Sequence, residues 1–447
     1  VLENMRVGAS KSGPMMDCIN RLIDLVDADI LPKLVPRLCD MMTKSLGSST
    51  KSGSAHVAAG LANRFRLELG EHCRPLLKAL LRGSVQRSAP VRRDFASAIG
   101  TVVRASPAAD VDMVVKRCRK LYLDRESEEA IEASAAVCRG IAVKAPDVLR
   151  QIASSVLPLA YVGTHDRAAV TRKLWEELWS EHTPGTKGGI KLYFTEIINL
   201  SLPGLADRSW EVKKQAASAI EAVAENVNQG SLMYLSDQIV DAIAQELQGR
   251  TWEGKELLLK ALIAVCLSCK DYFKANTSKL SVIHAIVIRE LNRKSIELRI
   301  AILPCTAKYF KTFANNSTID ELVGLFLPAV ATLTTSATGS NGDDGNDSDE
   351  GYDTVTKRTN ANNKAKLAAE SLVVLKAVLE SGGLPHGNSV AIFDDLWATV
   401  IGVVKQSVWK NRACACDCAT QILKNVVGAT DDSIKANTPG ATTRTPT

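Results

Sequence analysis

The feature that most constrains the fold is a short segment that recurs along the chain. Trp210, Trp252 and Trp409 each stand three residues before a lysine or arginine that opens a run rich in alanine, leucine or cysteine. The first two copies are 42 residues apart, and the third follows 157 residues later, close to four times that spacing. Residues 88–99 form a further copy without tryptophan. Such recurrence indicates a chain built from stacked copies of one small unit.

The residue pattern inside each copy is that of an amphipathic helix. In the first copy the apolar residues recur on one helical face, at Val212, Ala216, Ala219, Ile220 and Val223. Ser209 is expected to cap this helix, and Pro90 suits the first turn of a helix over 90–102. Partner helices are expected between the copies, at 30–44, 110–124, 190–200, 235–248 and 281–292.

One helical hairpin cannot bury its apolar face alone, so neighbouring hairpins must cover one another. The repeat length of roughly 38–45 residues is typical of HEAT and armadillo proteins. We therefore expect an all-α fold, an α-solenoid of about nine or ten HEAT- or armadillo-like helical hairpin repeats. The alternative is a compact, irregular helical bundle. The 46% hydrophobic and 5% aromatic content favours close-packed helices over a β-sandwich.

Composition divides the 447 residues into four segments. We expect a HEAT-like array over 1–334, a disordered acidic insertion over 335–363, further HEAT-like repeats over 364–429 and a disordered Thr-rich tail over 430–447. Ser348 lies among acidic residues in the insertion and is a candidate phosphorylation site. The chain opens VLENMRVGAS without a starting methionine, so we expect a fragment of a longer protein. It contains no apolar run long enough to predict membrane insertion.

Side chains that could carry chemistry are present but scattered. Cys266 and Cys269 form a C-x-x-C pair inside a helical pattern, where core packing is the favoured interpretation over a redox or zinc site. Cys414, Cys416 and Cys418 alternate along a helix, so three ligands from one side are not expected. Free thiols are the expectation for all eleven cysteines. We expect no catalytic residues, no cofactor and no metal site.

The densest basic cluster is the candidate for partner binding. It comprises Lys116, Arg117, Arg119 and Lys120, in a chain whose formal net charge is +6. A solvated helix face is the simpler interpretation, and docking onto an acidic protein surface is the alternative. Nucleic-acid binding is not expected, because no aromatic residues interleave with the cluster. We interpret the pair Trp175 and Trp179 first as part of the core and second as an anchor for a partner.

Several segments together resemble one protein family. They are Pro14–Met16 with Leu34–Leu38, Pro146–Leu149 with Val156–Ala160, Leu174–Trp179 with Pro184–Gly185 and Gly188–Tyr193, and Gly249–Trp252 with Gly254–Glu256 and Leu259–Ala261. In combination they are similar to the C-terminal part of the extracellular mutant 29 family of proteasome adaptor and scaffold proteins. The similarity covers about residues 10–310 and fades past Phe313.

The resemblance implies a non-catalytic, HEAT-like scaffold. Members of that family hold the 20S core particle of the proteasome to the 19S regulatory particle, support assembly quality control and couple proteasomes to endomembrane or motor proteins. It also implies residence in the cytoplasm and nucleus, with peripheral association at the endoplasmic reticulum or endosomes. The alternatives are a HEAT-repeat nuclear transport receptor, another protein-binding scaffold, or the accessory array of an enzyme whose catalytic domain lies elsewhere.

Overall fold

A computed structural model describes residues 14–314, 316–335, 351–381, 390–406 and 408–436, and within these ranges the regular elements are all helices. The prediction of an all-α array of helical hairpins is therefore confirmed. The helices fall into two compact units that meet in sequence at Gly204 and Leu205. No helix in the described ranges combines the length and apolar content needed to cross a bilayer.

The first unit is a series of helical hairpins, each formed by a first and a second helix. Its helices are α1 (Pro14–Asp24), α2 (Leu31–Lys44), α3 (Ser48–Phe65), α4 (Cys73–Gly83), α5 (Ala89–Arg104), α6 (Ala108–Asp124), α7 (Glu128–Lys144), α8 (Pro146–Gly163), α9 (Ala169–His182) and α10 (Gly185–Leu205). The first helices α2, α4, α6 and α8 lie side by side, and the second helices α3, α5, α7 and α9 form the adjoining row.

The second unit, taken by itself, is also a series of packed helices. Its helices are α11 (Trp210–Asn226), α12 (Met233–Leu247), α13 (Lys255–Ser268), α14 (Lys270–Ala275), α15 (Thr277–Leu291), α16 (Ile296–Phe313), α17 (Asn316–Thr335), α18 (Gly351–Glu380), α19 (Val390–Gln406) and α20 (Trp409–Ala436). From α3 to α16, successive second helices begin 39–45 residues apart. The observed period thus matches the one read from the tryptophan-marked copies.

Close approach of second helices is built on small residues. Gly100 of α5 lies against the backbone of α7, and a Cβ atom at Gly100 would stand 2.2 Å from the carbonyl oxygen of Gly140. A Cβ atom at Gly140 would stand 2.3 Å from the carbonyl oxygen of Ala96. The two helices therefore cross backbone to backbone, which only glycine allows at these positions.

Polar contacts tie each repeat to the next. Arg92 pairs with Glu132, and the Arg139 guanidinium donates to both carboxylate oxygens of Glu181 at 2.6 and 2.7 Å. Both contacts join residues 40 to 42 positions apart, one repeat length. In the second unit the buried amine of Lys255 donates to the carbonyl oxygens of residues 247 and 249 at 2.8 and 2.7 Å. Burial lowers the pKa of this amine, and Glu290 opposes that shift.

Several expectations about local structure differ from what is observed. Ser209 stands at the N-cap of α11, but its hydroxyl makes no capping hydrogen bond; its backbone N–H donates to Asp207 Oδ1 at 2.7 Å instead. Residues 351–363, assigned from sequence to the acidic insertion, belong to α18. Helix formation there has a simple reason, since no proline and no glycine after Gly351 interrupts the run into the packed part of α18.

The C-terminal end of the second unit also differs from the expected boundary. Helix α20 continues to Ala436, beyond the expected end of the repeats at residue 429. The remaining parts of the two segments expected to be disordered, 336–350 and 437–447, lie outside the described residues. Ser348 is among them, so its candidacy as a phosphorylation site stays a prediction.

Candidate functional site

The predicted basic cluster lies on the exposed side of α6. Lys116, Arg117, Arg119 and Lys120 are all exposed, while Cys118 between them is buried. Lys116 pairs with Asp112 at 2.7 Å, and Lys120 pairs more loosely with Asp124 at 3.8 Å. Within the described part of the chain, Arg117 and Arg119 have no carboxylate oxygen within 4.0 Å. Half of the cluster is therefore free of ion pairs.

Neighbouring first helices extend this cluster into a wider surface. Helix α4 packs between α2 and α6, and both α2 and α4 carry exposed cations. We call the exposed lysine and arginine side chains of the three helices the basic face. Its members are Lys33, Arg37, Lys44, Arg74, Lys78, Arg82, Lys116, Arg117, Arg119 and Lys120. Sequence reasoning found the contiguous part on α6 and missed the rest, which only packing brings alongside.

Few acidic residues accompany the basic face. Asp110 is buried at the start of α6 and accepts from Arg74 at 2.9 Å. Asp40 pairs with Lys44 at 2.8 Å, one helical turn away. Helix α4 has no acidic residue. Each acid on these helices is thus engaged by one member of the basic face, and cations remain in excess.

The exposed apolar residues near the basic face are aliphatic rather than aromatic. Ile30 beside α2, Met41 on α2 and Leu123 on α6 are each more than two fifths exposed. The one aromatic residue of the three helices, Tyr122, is buried and donates its hydroxyl proton to Asp166 at 2.9 Å. The surface therefore offers cations and scattered aliphatic groups to a partner, and no ring on which a base could stack.

A groove of about 520 Å³ runs across α11, α13 and α16 in the second unit. Glu221, Lys260 and Lys308 place charges along an apolar floor that includes Ile263. Burial and the neighbouring Glu225 raise the pKa of Glu221, while the two lysines oppose the shift. Burial raises the pKa of the Cys305 thiol, which also lines the groove, to about 12. That thiol is therefore protonated at neutral pH and a poor nucleophile.

The other cysteines behave as packing residues or as isolated thiols. Cys266 and Cys269 are free and buried in α13 and at its end, and burial raises the pKa of both. The pKa of Cys414 is lowered, chiefly by a hydrogen bond from the Cys418 thiol and then by the charge of Lys376. Among the described residues, no group of three or more histidine, cysteine or acidic side chains is arranged to hold a metal ion.

The tryptophans divide into core and surface residues. Trp175 and Trp179 are buried, which confirms their interpretation as core. Trp210 and Trp252 stack across neighbouring repeats with ring centroids 5.9 Å apart, although 56% of Trp210 is exposed. Trp409 is 72% exposed. Trp210 and Trp409 are therefore surface groups and Trp252 is half-buried, which the sequence pattern alone did not indicate.

Comparison with known proteins agrees with this architecture. Residues 1–123 match the family model described as the HEAT-repeat domain of the proteasome adapter and scaffold protein ECM29. The human protein named proteasome adapter and scaffold protein ECM29 is 31% identical over 338 residues, which are 74% of this chain and 18% of that protein. The predicted resemblance to the ECM29 family is thereby confirmed.

Further ECM29 relatives come from fungi. The proteasome component ecm29 of Schizosaccharomyces pombe is 30% identical over 66% of this chain, and proteasome component ECM29 of Saccharomyces cerevisiae is 24% identical over 72%. The chain spans about a sixth of the length of these relatives, 17% of each. A solved structure of importin beta is similar over 89% of this chain and 48% of the importin chain, with 13% sequence identity and a TM-score of 0.42.

Proposed function

We propose that this chain is a non-catalytic segment of a scaffold that binds the proteasome and links its 20S core particle to its 19S regulatory particle, in support of assembly quality control. The observation that carries the proposal is the match of 74% of the chain to a protein named as a proteasome adapter and scaffold. That name belongs to the relative. Its transfer to this chain is the proposal.

The architecture supports a role in binding rather than catalysis. Stacked repeats present a long surface on which separate contacts can form with more than one partner. Two weak contacts on one such surface reinforce each other, because the second forms at a high effective concentration once the first is made. The proposal extends to endomembrane or motor proteins as further partners, and to residence in the cytoplasm and nucleus with peripheral association at the endoplasmic reticulum or endosomes.

A direct binding experiment tests the proposal. The full chain, carrying an affinity tag, is mixed with purified 20S core particles, purified 19S regulatory particles, or both, with and without ATP. We expect the tagged chain to retain each particle. In the absence of ATP, we expect the two particles to remain associated longer when the chain is present than when it is absent. Retention of neither particle would refute a direct contact by this segment. Retention of one only would refute the bridging role for it.

A further inference from the structure

We propose that the basic face of α2, α4 and α6 is a docking surface for an acidic segment of a partner protein. This goes beyond the proposed scaffold function, because it names the chemistry of a contact and holds whichever protein supplies the acidic segment. Four observations carry it: where the charge of the chain resides, which cations lack partners, how these are spaced, and which side chains surround them.

The three helices carry a local excess of positive charge. The three helices contain ten basic and four acidic residues. Their excess of six positive charges equals the formal net charge of the whole chain, which is +6. The residues outside the three helices therefore sum to zero net charge. A local excess of one sign attracts oppositely charged partners and accelerates their association.

Ion pairing within the three helices uses only part of the basic face. Each of the four acids pairs with one cation, so four of the ten cations are engaged. The other six have no carboxylate oxygen within 4.0 Å in the described part of the chain; they are Lys33, Arg37, Lys78, Arg82, Arg117 and Arg119. These exposed groups make no contribution to the fold through ion pairs.

Four of the six unpaired cations are arranged in a regular way. Lys33 and Arg37 on α2, and Lys78 and Arg82 on α4, each lie one helical turn apart and so share a helical face. Arg117 and Arg119 extend the set onto α6, which packs beside α4. Packed helices lie roughly 8–10 Å apart, so an extended acidic segment crossing the three helices would meet cations on each of them.

The side chains favour a carboxylate-bearing protein over other polyanions. Four of the six unpaired cations are arginines, whose planar guanidinium binds a carboxylate through two parallel hydrogen bonds. Single-stranded nucleic acid is normally held by stacking on aromatic rings as well as by charge, and the basic face exposes none. Helices that bind lipid surfaces present a continuous apolar face, whereas here the exposed aliphatic residues are single and lie among the cations.

The test uses the full chain and fluorescently labelled poly-L-glutamate, with binding measured by anisotropy at low and at physiological salt. The test variant replaces Lys78, Arg82, Arg117 and Arg119 by glutamine. The control variant carries Arg208→Gln and Arg250→Gln, which remove exposed cations of the second unit that also have no carboxylate partner among the described residues. Circular dichroism checks that both variants fold. If the fourfold variant does not fold, the double variants K78Q/R82Q and R117Q/R119Q are tested in its place.

We expect the fourfold variant to bind poly-L-glutamate at least about tenfold more weakly, each pair to lose part of that affinity, and the control to bind within about twofold of the wild type. Affinity should fall as salt is raised. Unchanged binding by the fourfold variant, or equal losses in the control, would overturn the proposal. So would tighter binding to polyuridylate or to phosphatidylserine vesicles at equal charge concentration. Failure to retain proteasome particles would refute the proposed function and leave this result standing.

Discussion

The crossing of α5 and α7 allows a sharp prediction about stability. Gly100→Ala adds a methyl group whose carbon would stand 2.2 Å from the carbonyl oxygen of Gly140, well inside van der Waals contact. A backbone carbonyl cannot rotate away as a side chain can, so the two helices must separate. Gly53→Ala in α3 of the same unit is the matched control, because nothing lies within 4 Å of the added carbon.

The two substitutions should shift stability in opposite directions. Alanine in place of glycine inside a helix stabilises by about 0.5–1 kcal/mol, and this is the whole expectation for Gly53→Ala. At Gly100 the same gain is opposed by overpacking, which costs about 1–3 kcal/mol and more where the neighbour cannot yield. We expect a net loss of about 1–2 kcal/mol for Gly100→Ala.

Urea titration of the full chain, followed by circular dichroism, measures the shift of the unfolding midpoint. Because stacked repeats can unfold in steps, hydrogen exchange of the peptides from α5 and α7 should be read alongside it. Gly100→Ala should speed exchange in both helices, and Gly140→Ala should act alike, since its added carbon would meet the same crossing at 2.3 Å from Ala96 O. If Gly100→Ala is as stable as the wild type, the backbone contact is not as close as described.

Two further predictions concern the protonation of a buried histidine and the reactivity of the thiols. Burial lowers the pKa of His165 to about 4, so between pH 6.5 and 4 the unfolded chain binds a proton that the folded chain does not. The free energy of unfolding should fall by up to about 3 kcal/mol as the pH drops through this window. In His165→Gln the urea concentration at the unfolding midpoint should depend less on pH than in the wild type. An unaltered pH dependence would contradict this prediction. Exposed Cys18 and Cys416 should react with a thiol reagent before buried Cys266 and raised-pKa Cys305, as read by mass spectrometry; equal rates would contradict the burial described.

Sequence periodicity predicted the helical array because each copy of the repeat contains the complete residue pattern of its own helix. The helix expected over 90–102 is observed over Ala89–Arg104, and the helix whose apolar face was predicted from Val212 to Val223 is observed over Trp210–Asn226. The helix expected to begin at Trp252 begins instead at Lys255. Gly254 explains this difference, since its φ of 102° places it in the left-handed region and ends the preceding turn just before the helix.

The candidate site was only partly readable for a different reason. Arg117 and Arg119 stand out because they belong to one short basic cluster in the sequence, whereas Lys78 and Arg82 lie a whole repeat earlier and resemble ordinary surface residues of α4. Only the packing of α4 beside α6 places them on one surface. Properties that arise between repeats, rather than within one, are invisible to a search for local clusters.

The scaffold and the basic face draw on different residues of the first unit. Repeats are joined by pairs such as Arg92 with Glu132, and by the close crossing of second helices, whereas the unpaired cations lie on first helices and hold nothing in place. Like charges one helical turn apart, as at Lys78 and Arg82, are destabilising by roughly 0.2–0.5 kcal/mol. A requirement for folding alone would therefore favour neutral residues at these positions. Substitution by glutamine at these positions should leave the free energy of unfolding unchanged or slightly higher, while it weakens binding to an acidic partner. These opposite effects on stability and on binding distinguish a docking surface from a cluster of cations without a binding role.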